Sequence, residues 1–188
     1  MTGGTQRWRL TVTGAVQGVG FRPAVYRLAT GLGLAGRVRN TGAGVEIDVE
    51  GSADALAALR EGLAAIPPPA HIEHMALEVL APVGARDFEV AGSTPQPGGA
   101  LPLPDLAPCA ACLAELVDPA DRRFGYPFIS CSQCGPRYSL ITAMPYDRER
   151  TAMAVFTPCV ACAAEYHDPA SRRFRHEANA CPACGPQL

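Results

Sequence analysis

Residues 36–50 read Gly36-Arg37-Val38-Arg39-Asn40-Thr41-Gly42-Ala43-Gly44-Val45-Glu46-Ile47-Asp48-Val49-Glu50. Val45, Ile47 and Val49 alternate with Glu46, Asp48 and Glu50, the period of a strand with one apolar face. Gly36 to Thr41 is a second strand candidate with Val38 inward, and Gly42-Ala43-Gly44 is the turn that makes the two a hairpin. What flanks this hairpin decides the fold. Upstream, Trp8, Leu10 and Val12 alternate with Arg7, Arg9, Thr11 and Thr13, a half-buried strand. Val25, Leu28, Ala29 and Leu32 then recur at helical spacing, with Pro23 near the helix start and Gly31 and Gly33 to end it. Downstream, Ser52 can cap a helix whose apolar face is Leu56, Leu59, Leu63 and Ile66, stopped by Pro67-Pro68-Pro69. Met75, Leu77 and Val79 give a fourth strand, and Phe88 and Val90 a short last piece. The order β-α-β-β-α-β is the split βαβ arrangement of an α+β domain, two helices on one face of an antiparallel sheet.

The chain holds eight cysteines, each in a C-x-x-C pair: Cys109/Cys112, Cys131/Cys134, Cys159/Cys162 and Cys181/Cys184. Eighteen residues separate the pairs within each half, and the unit repeats 50 residues on. Structural zinc takes four thiolates at tetrahedral corners, and two such hooks supply four. Pro108 to Pro136 aligns without gaps on Pro158 to Pro186. The copies share Glu115 and Glu165, Asp118-Pro119 and Asp168-Pro169, Arg122-Arg123-Phe124 and Arg172-Arg173-Phe174, Gly135-Pro136 and Gly185-Pro186. This is a duplicated module with one metal per copy. A disulfide scaffold is usually a short secreted chain, and a redox dithiol needs one pair rather than four. The duplication favours sequential sets, with nested pairing of Cys109/Cys112 with Cys181/Cys184 as the alternative.

The expected organisation is a first domain over 1–92, a Pro- and Gly-rich linker over 93–107, and a tandem zinc-finger domain over 108–188 with modules at 108–137 and 158–187. Metal is expected to hold the last domain folded. Its four-thiolate sites lack the open position of a catalytic metal. The formal charge of −2 gives no global drive towards nucleic acid. All 16 basic residues are Arg, and no aromatic row accompanies them. No apolar run of membrane-spanning length occurs, and cytoplasm, where thiols stay reduced, is the expected location. His71, His74, His167 and His176 read as surface or packing residues, because both cysteine sets are complete. Arg122-Arg123 and Arg172-Arg173 read as a solvated face or helix-end charges, with docking of further domains or of a phosphate-bearing intermediate as the sharper alternative.

Gln17-Gly18-Val19-Gly20-Phe21-Arg22 lies between the first strand and the first helix. Glycines let backbone N–H groups converge, and the helix N-terminus adds its positive end. Arg22 can grip two phosphate oxygens with its guanidinium fork. The loop is a candidate oxyanion cradle, although glycine content alone fits a plain turn. No Gly-Lys-Ser/Thr follows, so it is not a Walker loop. Gly31-Leu32-Gly33-Leu34-Ala35-Gly36 fits G-x-G-x-x-G but follows a helix, the reverse of the dinucleotide context.

Residues 13–23, with Asn40 before the Gly42-Ala43-Gly44 turn and Val45-Glu46 after it, resemble the acylphosphatases. The resemblance implies a ferredoxin-like fold and hydrolysis of carboxyl phosphates such as carbamoyl phosphate. It also implies that Arg22 and the amides of 17–22 hold the phosphoryl group, that Asn40 positions the attacking water, and that hydrolysis needs no metal. A second resemblance spans residues 7–188. Pro104-Asp105, the cysteine repeats, Tyr126-Pro127-Phe128, Gly135-Pro136-Arg137 and Pro145-Tyr146-Asp147-Arg148 are similar to the N-terminal part of the HypF carbamoyltransferase family. That family supplies cyanide ligands in NiFe-hydrogenase maturation. It implies partners in a YrdC-like ATP-binding domain, a carbamoyl-transfer domain and a HypE-like acceptor protein. Neither further domain is visible in these residues, which end at Leu188. In the family pattern a His follows the second Arg-Arg-Phe directly; here Arg175 does, with His176 next. The competing functional class is a non-catalytic zinc-dependent module that binds protein or nucleic acid.

Overall fold

The computed structural model describes residues 4–94, 98, 100, 102–135 and 137–188. Pro95, Gln96, Pro97, Gly99 and Leu101 of the expected linker, Pro136 of the first repeat and residues 1–3 lie outside the described residues. The chain divides into two compact units, one holding the described residues of 1–17 and 21–101, the other those of 18–20 and 102–188.

The first unit runs β1 (Gln6–Ala15), α1 (Phe21–Gly31), β2 (Ala35–Asn40), β3 (Val45–Gly51), α2 (Ala53–Ala64), β4 (His71–Leu80) and β5 (Phe88–Val90). The sheet order is β4-β1-β3-β2-β5. β1 pairs antiparallel with β3 and β4, β2 antiparallel with β3, and β5 parallel with β2. This is the expected split βαβ sheet with one parallel edge strand added. Leu10, Val12, Val38, Val45, Ile47 and Val49 from the sheet, and Val25, Leu56, Leu59 and Leu63 from the helices, are buried as the alternation and helical spacing require. Ser52 caps α2 by accepting from the Ala55 amide at 3.2 Å. The helix ends at Ala64, so Ile66 falls outside it. The residue before a proline is steered away from helical geometry, and the triple proline acts upstream of itself.

Two features depart from simple alternation. Asp48 and Glu50 are buried although they sit at the polar positions of β3. Arg7 grips Asp48 with two 2.7 Å bonds, and the amides of Val83, Gly84 and Ala85 donate to the Glu50 carboxylate. Charged groups at a buried central strand persist because they are fully partnered. Leu77 and Val79 are 40% and 65% exposed, since β4 is an edge strand. Beyond β5 the chain keeps following β2 and its turn: Ala91 N–H donates to Val38 O, Thr94 to Asn40 O and Ala100 to Gly42 O. The first part of the expected linker is thus hydrogen-bonded to the hairpin.

The described residues of the second unit include two short α-helices, α3 (Ala110–Val117) and α4 (Val160–His167), one in each repeat. Equivalent hydrogen bonds recur. Leu113 N–H donates to Cys109 O as Ala163 does to Cys159 O, and Gly135 donates to Cys131 O as Gly185 does to Cys181 O. Gly125 (φ 67°) is matched in the second repeat by Arg175 (φ 51°), so the second copy places an arginine in the left-handed region. The core is small and half sulfur-lined: Cys112, Cys131, Cys134, Tyr126, Ile129, Met153, Ala178 and Ala180. Arg148, from the Pro145-Tyr146-Asp147-Arg148 stretch, ties the segment between repeats to the second one by donating to Glu177 O and Asn179 O, and braces the segment itself by donating to Phe156 O.

Candidate active site and metal centres

β1 ends where the glycine-rich loop begins, and α1 starts at Phe21, so Arg22 is the second residue of that helix. Gly18 and Gly20 both adopt positive φ, 75° and 73°. Left-handed residues alternating with an ordinary one are a backbone pattern from which an anion nest can be built. Val16, Val19 and Phe21 bury their side chains, which leaves this loop its backbone as the chemistry-bearing part. The first turn of α1 carries no acidic residue, so its positive end is not offset by the helix's own side chains.

Asn40 ends β2, opposite Val45. α1 leads away from the loop and β2 returns, which brings Asn40 to the end of the sheet where α1 begins. Gln17 closes the arrangement. Its side-chain amide donates to Thr41 O and to Gly44 O, each at 2.8 Å. The turn is further held by Thr41 N–H to Gly44 O and by Gly44 N–H to Thr41 Oγ1. Gln17, Arg22, Asn40 and Thr41 are all buried. The side chain of Gln17, read from the sequence only as part of the cradle, therefore positions the turn after Asn40. Thr41 belongs to the same constellation and carried no motif that would have singled it out.

The structure gathers Cys109, Cys112, Cys131 and Cys134 in one group and Cys159, Cys162, Cys181 and Cys184 in another. The pairing is sequential, not nested. Neighbouring sulfurs stand 3.6–3.9 Å apart. Zinc–sulfur bonds of ~2.3 Å at tetrahedral corners require edges of about 3.8 Å, whereas a disulfide would need ~2.05 Å. Each set fits one zinc ion. Cys109 and Cys159 sit at the N-caps of α3 and α4, and Cys112 and Cys162 lie one turn inside, so a helix start presents both sulfurs of a hook to one side. Bound zinc would cross-link that helix start to the second hook.

The arginine pairs are not a solvated face. The side chains of Arg123 and Arg173 are only 2% and 4% exposed. Each pair reaches into the opposite repeat. Arg122 and Arg123 both bond Glu165, at 2.7 and 2.5 Å, and both bond Cys162 Sγ. Arg172 and Arg173 both bond Glu115, and Arg172 lies 3.2–3.7 Å from the sulfurs of Cys109, Cys112 and Cys131. Arg123 Nε donates to Ala180 O and Arg173 Nε to Ser130 O, equivalent positions of the two copies. Burial opposes the charge on Glu165, but hydrogen bonds from Arg123 and Arg122 outweigh it and hold the carboxyl down to about 2. Asn179, buried and not foreseen, donates to Cys162 O and accepts from Arg123. Of the four histidines, His71, His74 and His167 are exposed. Burial holds His176 down to about 3, and this neutral ring shares a 2.8 Å hydrogen bond with Ser130 Oγ. It is a packing residue.

Residues 8–90 match the acylphosphatase family model, and residues 109–141 and 159–188 match the HypF finger model. Carbamoyltransferase HypF2 of Cupriavidus necator is 53% identical over 156 residues, which cover 81% of this chain and 19% of that protein. An acylphosphatase of Synechococcus sp. is 42% identical over 97 residues, 51% of this chain and 82% of its own length. The crystal structure of full-length HypF in the phosphate- and nucleotide-bound form has a TM-score of 0.93 at 41% identity, covering 100% of this chain and 25% of that one. The chain spans about a fifth of the length of the curated HypF proteins it matches. It therefore belongs to the acylphosphatase family of enzymes through its first unit and carries the two HypF fingers in its second, the combination that forms the N-terminal part of HypF carbamoyltransferases.

Proposed function

We propose that this chain hydrolyses carboxyl phosphates, and that carbamoyl phosphate is its substrate. The observation that carries the proposal is the pair of hydrogen bonds from Gln17 to Thr41 O and Gly44 O. They tie the strand that leads into the glycine-rich loop to the turn that follows Asn40. The loop amides and the Arg22 fork would hold the phosphoryl oxygens, neutralising charge that spreads over them in a loose transition state. The Asn40 amide would orient a water in line with the scissile bond. The water oxygen bonds to phosphorus, the bond from phosphorus to the acyl oxygen breaks, and the water proton passes to the phosphate. The electron pair leaves on a carboxylate, or carbamate, oxygen. Such a leaving group is a weak base, so its departure calls for no general acid.

On this reading carbamate is handed on within a HypF-like carbamoyltransferase. A YrdC-like domain would join it to ATP, and a transfer domain would pass the carbamoyl group to a HypE-like protein for cyanide-ligand synthesis in hydrogenase maturation. We place residues 1–92 as the hydrolase and 108–188 as the finger domain, in a cytoplasmic protein. Among the described residues no helix is long and apolar enough to cross a membrane.

The test is inorganic phosphate release by the purified, zinc-loaded chain from carbamoyl phosphate, beside a phosphate monoester. Release from the first and not the second is expected. No release from a folded chain would favour the non-catalytic binding module. Within an active chain, Gln17→Leu should lower kcat about tenfold or more, with KM nearly unchanged. The change removes the side-chain donor from two buried carbonyls that keep only the backbone bonds between Thr41 and Gly44, at roughly 0.5–1.5 kcal/mol per lost bond, and lets the Asn40 turn drift while leaving the phosphate ligands in place. An unchanged kcat would show that Gln17 does not position the turn.

A further inference from the structure

We infer that the two four-cysteine sites bind metal as one cooperative unit, because each site takes its arginine donors from the opposite repeat. A zinc ion with four thiolates has a net charge of about −2. The guanidinium nearest the first set belongs to the second repeat: Arg172 donates towards Cys109, Cys112 and Cys131. The guanidinium nearest the second set belongs to the first repeat, where both Nη atoms of Arg122 stand 3.4 Å from Cys162 Sγ. Glu115 and Glu165 fix these arms, each bonded by both arginines of the other copy.

The consequence follows from where each arginine is anchored. Arg122-Arg123-Phe124 lies between the two hooks of the first set, Cys112 and Cys131. That segment is closed into a loop when the first set holds its ion. Only then is Arg122 presented to Cys162, and the same holds for Arg172 and the first set. Filling one site therefore completes the surroundings of the other. By linkage the effect is equal in both directions. Neither repeat is an autonomous finger, which distinguishes this pair from modules that are strung along a chain and fold one by one.

Native mass spectrometry of the zinc-free, reduced full chain, given one equivalent of zinc per chain, tests this. Independent equal sites leave about half the chains with a single ion, and independent unequal sites leave more. A coupling of about 100-fold, within the usual range for linked sites, leaves about a tenth. The expected spectrum shows mainly the empty and the two-ion forms, and a single-ion population of half or more would overturn the inference. Arg122→Met keeps all eight cysteines and alters a side chain that is 33% exposed. In this variant the single-ion form should rise severalfold. Loss of both ions would also support the coupling, since Arg122 touches only the second set. An unchanged all-or-none spectrum would remove the arginine from the explanation.

Discussion

Stripping zinc from this protein with a strong chelator should unfold residues 102–188 and leave the five-stranded sheet intact. The second unit has helices of eight residues, too short to persist in water without support. Its main core cluster has eight buried members, of which three are metal ligands. Structural zinc is worth ~10–16 kcal/mol in isolated finger peptides, as much as the entire stability of a typical domain. Among the described residues both candidate metal-binding groups lie in the second unit. The first unit's buried leucines, valines and isoleucine form a continuous sheet-and-helix core. Limited proteolysis and amide hydrogen exchange should show cuts and lost protection confined to 102–188, with protection retained in β1, β2 and β3. Protection that survived complete metal removal in α3 and α4 would contradict this account of what holds the unit together.

Arg22→Ala should reduce kcat/KM for carbamoyl phosphate by about 10³–10⁵-fold, the range found when a single arginine carries transition-state charge in phosphoryl transfer. Arg22→Lys should recover only part of the loss, because an ammonium restores charge but not the two-pronged geometry. The substitution sits in the first turn of α1, where neither residue disfavours helix, so circular dichroism should be unchanged. A variant with kcat/KM within a few-fold of wild type would move the phosphate site away from this loop.

Much of this was open to the sequence, for identifiable reasons. β1, β2 and β3 follow from a period of two, because each has one face against the helices. α2 follows from Ser52 and three leucines at helical spacing. The cysteine sets follow from a spacing that geometry constrains tightly. The cross-repeat contacts were out of reach because the copies carry the same Glu and the same Arg-Arg-Phe. Nothing in the residues says whether Arg122 meets Glu115 or Glu165, and the structure chooses Glu165. The solvated reading of those arginines failed for the same reason, since their glutamate partners lie 42 to 58 residues away. Asp48 and Glu50 look like the wet side of a strand; Arg7, Arg9 and the amides of 83–85 turn them into buried, satisfied groups. Gln17 was legible as a loop residue but not as the clasp on the Asn40 turn. That role depends on which end of the sheet two distant segments share.

Attack of water on phosphorus at the proposed site of Arg22 and Asn40 is tested by the fate of isotopic oxygen. Acetyl phosphate would be turned over by the zinc-loaded chain in ¹⁸O-water, with Asn40→Ala beside it, and the products analysed by mass spectrometry. The label is expected to enter inorganic phosphate and not acetate, and Asn40→Ala is expected to slow the labelling without redirecting it. Label in acetate would mean attack at the carbonyl carbon, and would contradict the phosphatase mechanism assigned to this fold.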